Sequence, residues 1–170
     1  HALRFAFLIL TQQKELYVLH SASFLYRGRA FLVSGSSGTG KSTHSALWHD
    51  LYQTPLLNGD LNLLGIRDNI PYAYGLPWCG TSGICTPKDY PLGGIIFLKQ
   101  AAIDQVQSLQ PDEKVLHILQ RMISPAWTKE LLLRNLHFSE ALAPLIFSCR
   151  LYCTKEPSAA GILKAAIDAL

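Results

Sequence analysis

Residues Gly35, Ser36, Ser37, Gly38, Thr39, Gly40, Lys41, Ser42 and Thr43 crowd three glycines, several small hydroxyls and one lysine into nine positions. They fit the pattern G-x-x-x-x-G-K-S/T, which a chain of this length meets by chance at well under about 2%. Glycines let successive backbone N–H groups converge into a nest that holds phosphate oxygens. A helix that starts at the end of the loop adds about half a positive charge there. Lys41 brings a mobile ammonium to the β- and γ-phosphates, and Ser42 a hydroxyl for Mg²⁺. The spacing therefore reads as a nucleoside-triphosphate site over residues 35–43, with ATP as the expected ligand.

Such a loop works with a carboxylate that stands at the end of a nearby strand and holds the metal, directly or through water. Asp60 is the best placed, 18 residues beyond Ser42, after an apolar run and beside Gly59. The other reading of Asp60 is a turn residue in Asn58-Gly59-Asp60.

The elements around these residues must hold them in register. Tyr17 to Ser34 reads as a strand, a turn at Arg27-Gly28-Arg29 and a second strand, apolar enough to be buried on both faces. Leu47, Trp48, Leu51 and Tyr52 form one stripe of a helix that leaves the glycine loop. Two short strands flank Gly59-Asp60. The segment from Ile70 to Gly94, with its prolines and glycines, reads as a long loop. Residues 93–99 form a further buried strand, and 102–110 a half-exposed edge strand. After Pro111, Val115, Ile118, Leu119 and Met122 mark a helix. A second helix spans 127–142, a strand follows from Pro144, and a helix over 158–170 ends the chain. This order predicts an α/β fold, a single P-loop domain over residues 1–170 with a mixed sheet flanked by helices.

Length and composition agree. The chain has 170 residues, 49% hydrophobic and 16% charged, which is the make-up of an ordered globular domain. A net charge of +3 without a basic run gives no footprint for nucleic acid, and suits a small anion. The apolar run Phe5–Leu10 is far below the roughly 18 residues of a membrane span, so no membrane partner is expected. Cys79, Cys85, Cys149 and Cys153 lack C-x-x-C spacing and read as reduced thiols of a cytoplasmic protein. The chain begins at His1 and its single methionine is Met122, so an N-terminally truncated chain is expected.

The stretches LHSASFLYRGRAFLVSGSSGTGKSTHSALW, LLNGDLNLLGI and YAYGLPWCGTSG resemble the HPr kinase/phosphorylase-like proteins. That family belongs with the nucleotide-binding half of the ATP-dependent phosphoenolpyruvate carboxykinases. PLGGIIFLKQ and LYCTKEPSAAGILKAAI look like the family's later strand and closing helix. The resemblance implies a P-loop that binds ATP, dependence on Mg²⁺ with Mn²⁺ as an alternative, phosphoryl transfer, and assembly of many members into homo-oligomers. It implies phosphate and metal roles for Lys41 and Ser42, and a metal-binding role for Asp60. His20 matches a histidine of the strand before the loop. Members that act as kinases commonly carry an aspartate where this chain has Gly59, and one acid of that pair is thought to take the acceptor's proton.

His20 is the candidate to fill the gap left at Gly59, because an imidazole accepts a proton near neutral pH. It reads equally as a hydrogen-bonded strand histidine. His44 and His49 read as packing or solvated residues. Trp78 could wall a cleft or anchor its loop. Three readings follow: a kinase acting on a hydroxyl of a peptide, protein or small molecule, a non-catalytic nucleotide-binding module, and a phosphoenolpyruvate carboxykinase. The last needs a substrate half that this chain has little sequence to supply.

Overall fold

The computed structural model describes residues 2–78, 80 and 82–170. The chain opens with helix α1 (Ala2–Gln13), then an antiparallel pair, β1 (Tyr17–Tyr26) and β2 (Arg29–Ser34). The glycine loop leads into α2 (Lys41–Tyr52). Four strands follow: β3 (Leu56–Asn58), β4 (Leu61–Arg67), β5 (Ile70–Tyr74) and the long β6 (Tyr90–Gln100). After β7 (Gln105–Ser108) come α3 (Pro111–Arg121), α4 (Lys129–Leu142), β8 (Phe147–Cys153) and α5 (Pro157–Asp168).

The sheet is mixed, as the sequence predicts. β2 runs antiparallel to β1 and parallel to β6, and β6 runs parallel to β8, whose far side carries antiparallel β7 at the edge. β1 and β6 also belong to a second sheet, in which β4 pairs β1 and β5, and β5 reaches the start of β6. β2 is thus paired along both edges, and both its faces are buried, which is why it reads as an unbroken apolar run.

Strand alternation divides its side chains between two cores. Ala30 and Leu32, with Ile95 and Phe97 of β6, face Ile118 of α3 and Phe138 and Leu142 of α4. Phe31 and Val33, with Ile96 and Leu98, face Trp48 of α2 and Ala160, Leu163 and Ile167 of α5. Trp48 is fully buried and stacks on Phe24 with centroids 4.4 Å apart. Truncating such an aromatic costs about 3–5 kcal/mol.

The structure departs from the sequence reading at four places. The segment read as one long loop contains β5, whose Ile70–Tyr74 backbone pairs with β4 across a tight turn at Asp68 and Asn69, both in the left-handed region. Residues 2–13, given no element from sequence, form α1. The fourth helix begins at Lys129, and Trp127 before it is 61% exposed. Leu51, read as part of the buried stripe of α2, is 44% exposed.

Candidate active site

The loop sits between β2 and α2, the connection its glycines imply. Gly35 packs so closely that a β-carbon there would lie 2.6 Å from Thr39 Oγ1 and 3.2 Å from the Leu98 carbonyl. Thr39 closes the turn, its hydroxyl donating to the Ser36 carbonyl at 2.8 Å. Gly40, in the left-handed region, is the N-cap of α2 and offers no side chain to the first-turn N–H groups. These donors are the ones an anion takes at a helix start. Gln100 Nε2 donates to the Gly38 carbonyl at 3.1 Å and ties the loop to the end of β6.

Lys41 folds back over the loop and donates to the carbonyls of Gly35 and Ser36 at 3.2 and 3.1 Å. Burial, with the Arg121 charge, pulls its pKa below the usual lysine value, and Asp60 opposes this.

Asp60 is held by its turn. Asn58 Oδ1 accepts from the N–H groups of Asp60 at 2.9 Å and Leu61 at 3.0 Å, and the Asp60 carbonyl accepts from Ser21 N–H at 3.0 Å. Asn58 Nδ2 in turn donates to the Trp78 carbonyl at 2.8 Å, joining this turn to the 75–89 loop. Asp60 is therefore a turn residue, and these bonds fix the backbone from which its carboxylate projects.

His20 lies on β1, where its carbonyl accepts from Ser34 Oγ at 2.7 Å, one residue before the glycine loop. Its Nε2 is 3.3 Å from Asp60 Oδ1. Burial lowers the imidazole pKa, Lys41 lowers it further, and Asp60 partly restores it. This balance favours the neutral ring. In the tautomer that donates Nε2–H to Asp60, Nδ1 keeps a lone pair.

His20, Lys41 and Asp60, which are distant in sequence, therefore converge at the Gly35–Ser36 end of the loop. Sequence reasoning left Arg121 without a place, and the structure brings it here, with Nη2 3.4 Å from Ser36 Oγ. The only signal for it was its position as the last residue of α3. At the other end, Gly38, Thr43, His44, Leu47, Gln100 and Lys155 line a cleft of about 420 Å³.

The remaining candidates resolve as structure. Trp78 packs edge-on against Phe7 of α1, centroids 4.4 Å apart, in a small core with Leu8, Val18 and Leu61. His44 is 3% exposed, and His49 Nδ1 lies 3.0 Å from the Thr54 carbonyl. Cys149 and Cys153 are buried thiols of β8, and Cys79 lies outside the described residues. Arg27 sits far along the hairpin, paired with Asp168 at 3.1 Å.

Ser42 and Asp60 are hard oxygen donors. Among the described residues no group of three or more His, Cys, Asp or Glu could hold an ion alone. Oxygen donors of this kind suit Mg²⁺, which binds through one or two protein oxygens and completes its shell with phosphate oxygens and water.

Strand, glycine loop and helix in a mixed sheet define an α/β fold of the P-loop type. The fold is similar to that of the HPr(Ser) kinase/phosphatase from Coxiella burnetii, with a TM-score of 0.50 over 89% of this chain and 95% of that one. Sequence identity is 10%, so the likeness is one of fold. No family model matches the sequence, and no curated protein is detectably similar to it. Among the described residues, no helix is long and apolar enough to cross a membrane.

Proposed function

We propose that this chain is an ATP-dependent kinase that passes the γ-phosphoryl group to a hydroxyl of a peptide, protein or small molecule. The observation that carries this reading is the convergence of Lys41, Asp60 and His20 on the phosphate-loop end away from the cleft. Residues 35–43 bind the triphosphate through backbone N–H groups. The cleft beside Gly38 has room for the nucleoside. Lys41 leaves its two carbonyls for phosphate oxygens, a charged acceptor in place of neutral ones. Ser42 and Asp60 are the residues that would hold Mg²⁺, and the ion, when bound, offsets charge on the phosphates.

His20 accepts the proton. As the acceptor oxygen bonds to the γ-phosphorus and the bond to the bridging oxygen of ADP breaks, the acceptor's hydrogen passes to Nδ1. Asp60 orients the ring through Nε2 and stabilises the imidazolium that forms. Phosphoryl transfer depends mainly on positioning and charge, so one neutral base suits it.

A second reading, a nucleotide-binding regulatory module, is favoured by Gly59, which stands where kinases of the resembled family carry an acid. One experiment separates the two: incubation of the purified protein with γ-labelled Mg-ATP, alone and with candidate hydroxyl acceptors, beside calorimetry of Mg-ATP binding. Label released or transferred by the wild type and lost in Lys41→Ala supports the kinase. Binding without release or transfer supports the module. Absence of binding overturns both.

A further inference from the structure

We infer that Arg121 grips the terminal phosphoryl group of the bound nucleotide and makes the site prefer a triphosphate to a diphosphate. This deepens the kinase reading and rests on its premise that residues 35–43 bind a nucleotide.

The backbone brings Arg121 to the loop. It is the last residue of α3, and the chain turns extended at Met122. Met122 then forms an antiparallel bridge with Leu19 of β1. Ile123 N–H donates to the Val18 carbonyl at 2.9 Å, and Val18 N–H donates to Ser124 Oγ at 2.9 Å. The carbonyls of Ser124 and Pro125 accept from buried Asn135, and Pro125 also from Gln12. In this register the residue after Leu19 and the residue before Met122 lie alongside each other, and these are His20 and Arg121. The strap is anchored by β1, α1 and α4 together, so the root of the Arg121 side chain is fixed rather than borne on a free loop.

Its guanidinium reaches Ser36, the residue whose carbonyl holds the Lys41 ammonium. Two cations from different elements thus meet on one loop residue. Among the described residues Arg121 forms no ion pair with a carboxylate; the ion pairs present involve His20, Arg27, Arg134 and Lys164. Its hydrogen bond to the Ser36 hydroxyl spans 3.4 Å, near the limit of such a bond. Asp60 is the one acid that acts appreciably on Lys41 or His20, against the cationic pull of Lys41, Arg121 and Arg4. Crowded cations on weak neutral acceptors are unfavourable until a multivalent anion arrives.

The polarity of the loop says which phosphate that is. The cleft opens at Gly38–Gly40, so the nucleoside end lies there. A P-loop lysine reaches the β- and γ-phosphates, and Lys41 rests at the Gly35–Ser36 end. Arg121 meets the loop at that same end, beside His20. A guanidinium presents a planar fork of donors that fits the oxygens of a terminal phosphate.

Calorimetry tests this with Mg-ADP and a Mg-bound non-hydrolysable ATP analogue. Wild type should bind the triphosphate more tightly. Arg121→Ala should lose about tenfold to a hundredfold of that affinity, while ADP binding changes by less than about twofold. Lys41→Ala should weaken both nucleotides. Should Arg121→Ala fail to melt cooperatively, Arg121→Gln, which keeps the stem, carries the same expectation. Retention of the triphosphate preference in the variant, equal loss for both nucleotides, or no preference in wild type would each overturn the inference and leave the nucleotide site standing. A wild type that binds neither nucleotide would remove both.

Discussion

The Ser82 side chain occupies the space that a β-carbon on Gly59 would need. Beside it, a β-carbon on Gly80 would come within 2.6 Å of the Asp60 side chain, so the loop after β5 lies directly on the Gly59–Asp60 turn. The two glycines and Ser82 are fitted to one another. Placing an acid at position 59 is therefore not a one-residue change. Gly59→Asp alone should lower the thermal midpoint, at the about 1–3 kcal/mol that overpacking costs, and leave label release unchanged. Gly59→Asp with Ser82→Gly should recover part of the stability, the bond from Ile84 N–H to Ser82 Oγ being lost, and raise release tenfold or more if an acid there serves as base. Equal gains in the single and double variants would show that Ser82 is no obstacle.

His20 should titrate below the usual histidine value. Burial and the Lys41 charge lower its pKa, with Arg4 and Arg121 adding to them and Asp60 opposing. Histidine ring signals followed by NMR against pH, in protein free of metal and nucleotide, should show its midpoint below about 6.5. Lys41→Met should move that midpoint up and Asp60→Asn should move it down. A midpoint at or above 6.5, or shifts of the opposite sign, would contradict the arrangement around the ring.

Lys41→Met should weaken Mg-ATP by about tenfold to a hundredfold, the worth of a charge-assisted contact. Its thermal midpoint should stay close to wild type, because the ammonium bonds two loop carbonyls, and that of Ser36 keeps its bonds from the Thr39 N–H and hydroxyl when the ammonium is gone. A large fall in midpoint without loss of affinity would assign the lysine to the fold.

His44 links stability to pH. Burial pushes its pKa down to about 4, against an unfolded value near 6.5, with Asp104 opposing. Between these values the unfolded chain binds more protons than the folded one. Stability is therefore complete above about pH 6.5 and is lost as pH falls toward 4, by about 3 kcal/mol from this residue. Denaturant unfolding at pH 7 and pH 4.5 should show the loss, and His44→Leu should reduce it. An unchanged pH dependence in the variant would remove His44 as its cause.

The parts of the molecule legible in sequence are those set by neighbouring residues. The Gly35–Thr43 loop announces itself because lysine after glycine at that spacing has a chemical reason, and Trp48 and Ile118 fall on the helix period that buries them. Strand β5 was hidden because prolines and glycines after Tyr74 colour the whole segment, and its pairing depends on the left-handed turn at Asp68 and Asn69. Arg121 could not be placed for a different reason. Its position follows from one bridge between Leu19 and Met122, about a hundred residues apart, and no local pattern encodes that. The packing of Ser82 on Gly59 is likewise a long-range fit between two loops, each ordinary when read alone.

The carbonyl that backs Gly35 belongs to Leu98, and β2 finds its parallel partner only when β6 has been made. The phosphate loop thus takes its shape late in synthesis. A nascent chain that has emerged only as far as α2 has every residue of the loop and neither the strand nor the wall that shapes it. Such non-local closure is slow, and ATP should not rescue a fragment that stops before β6.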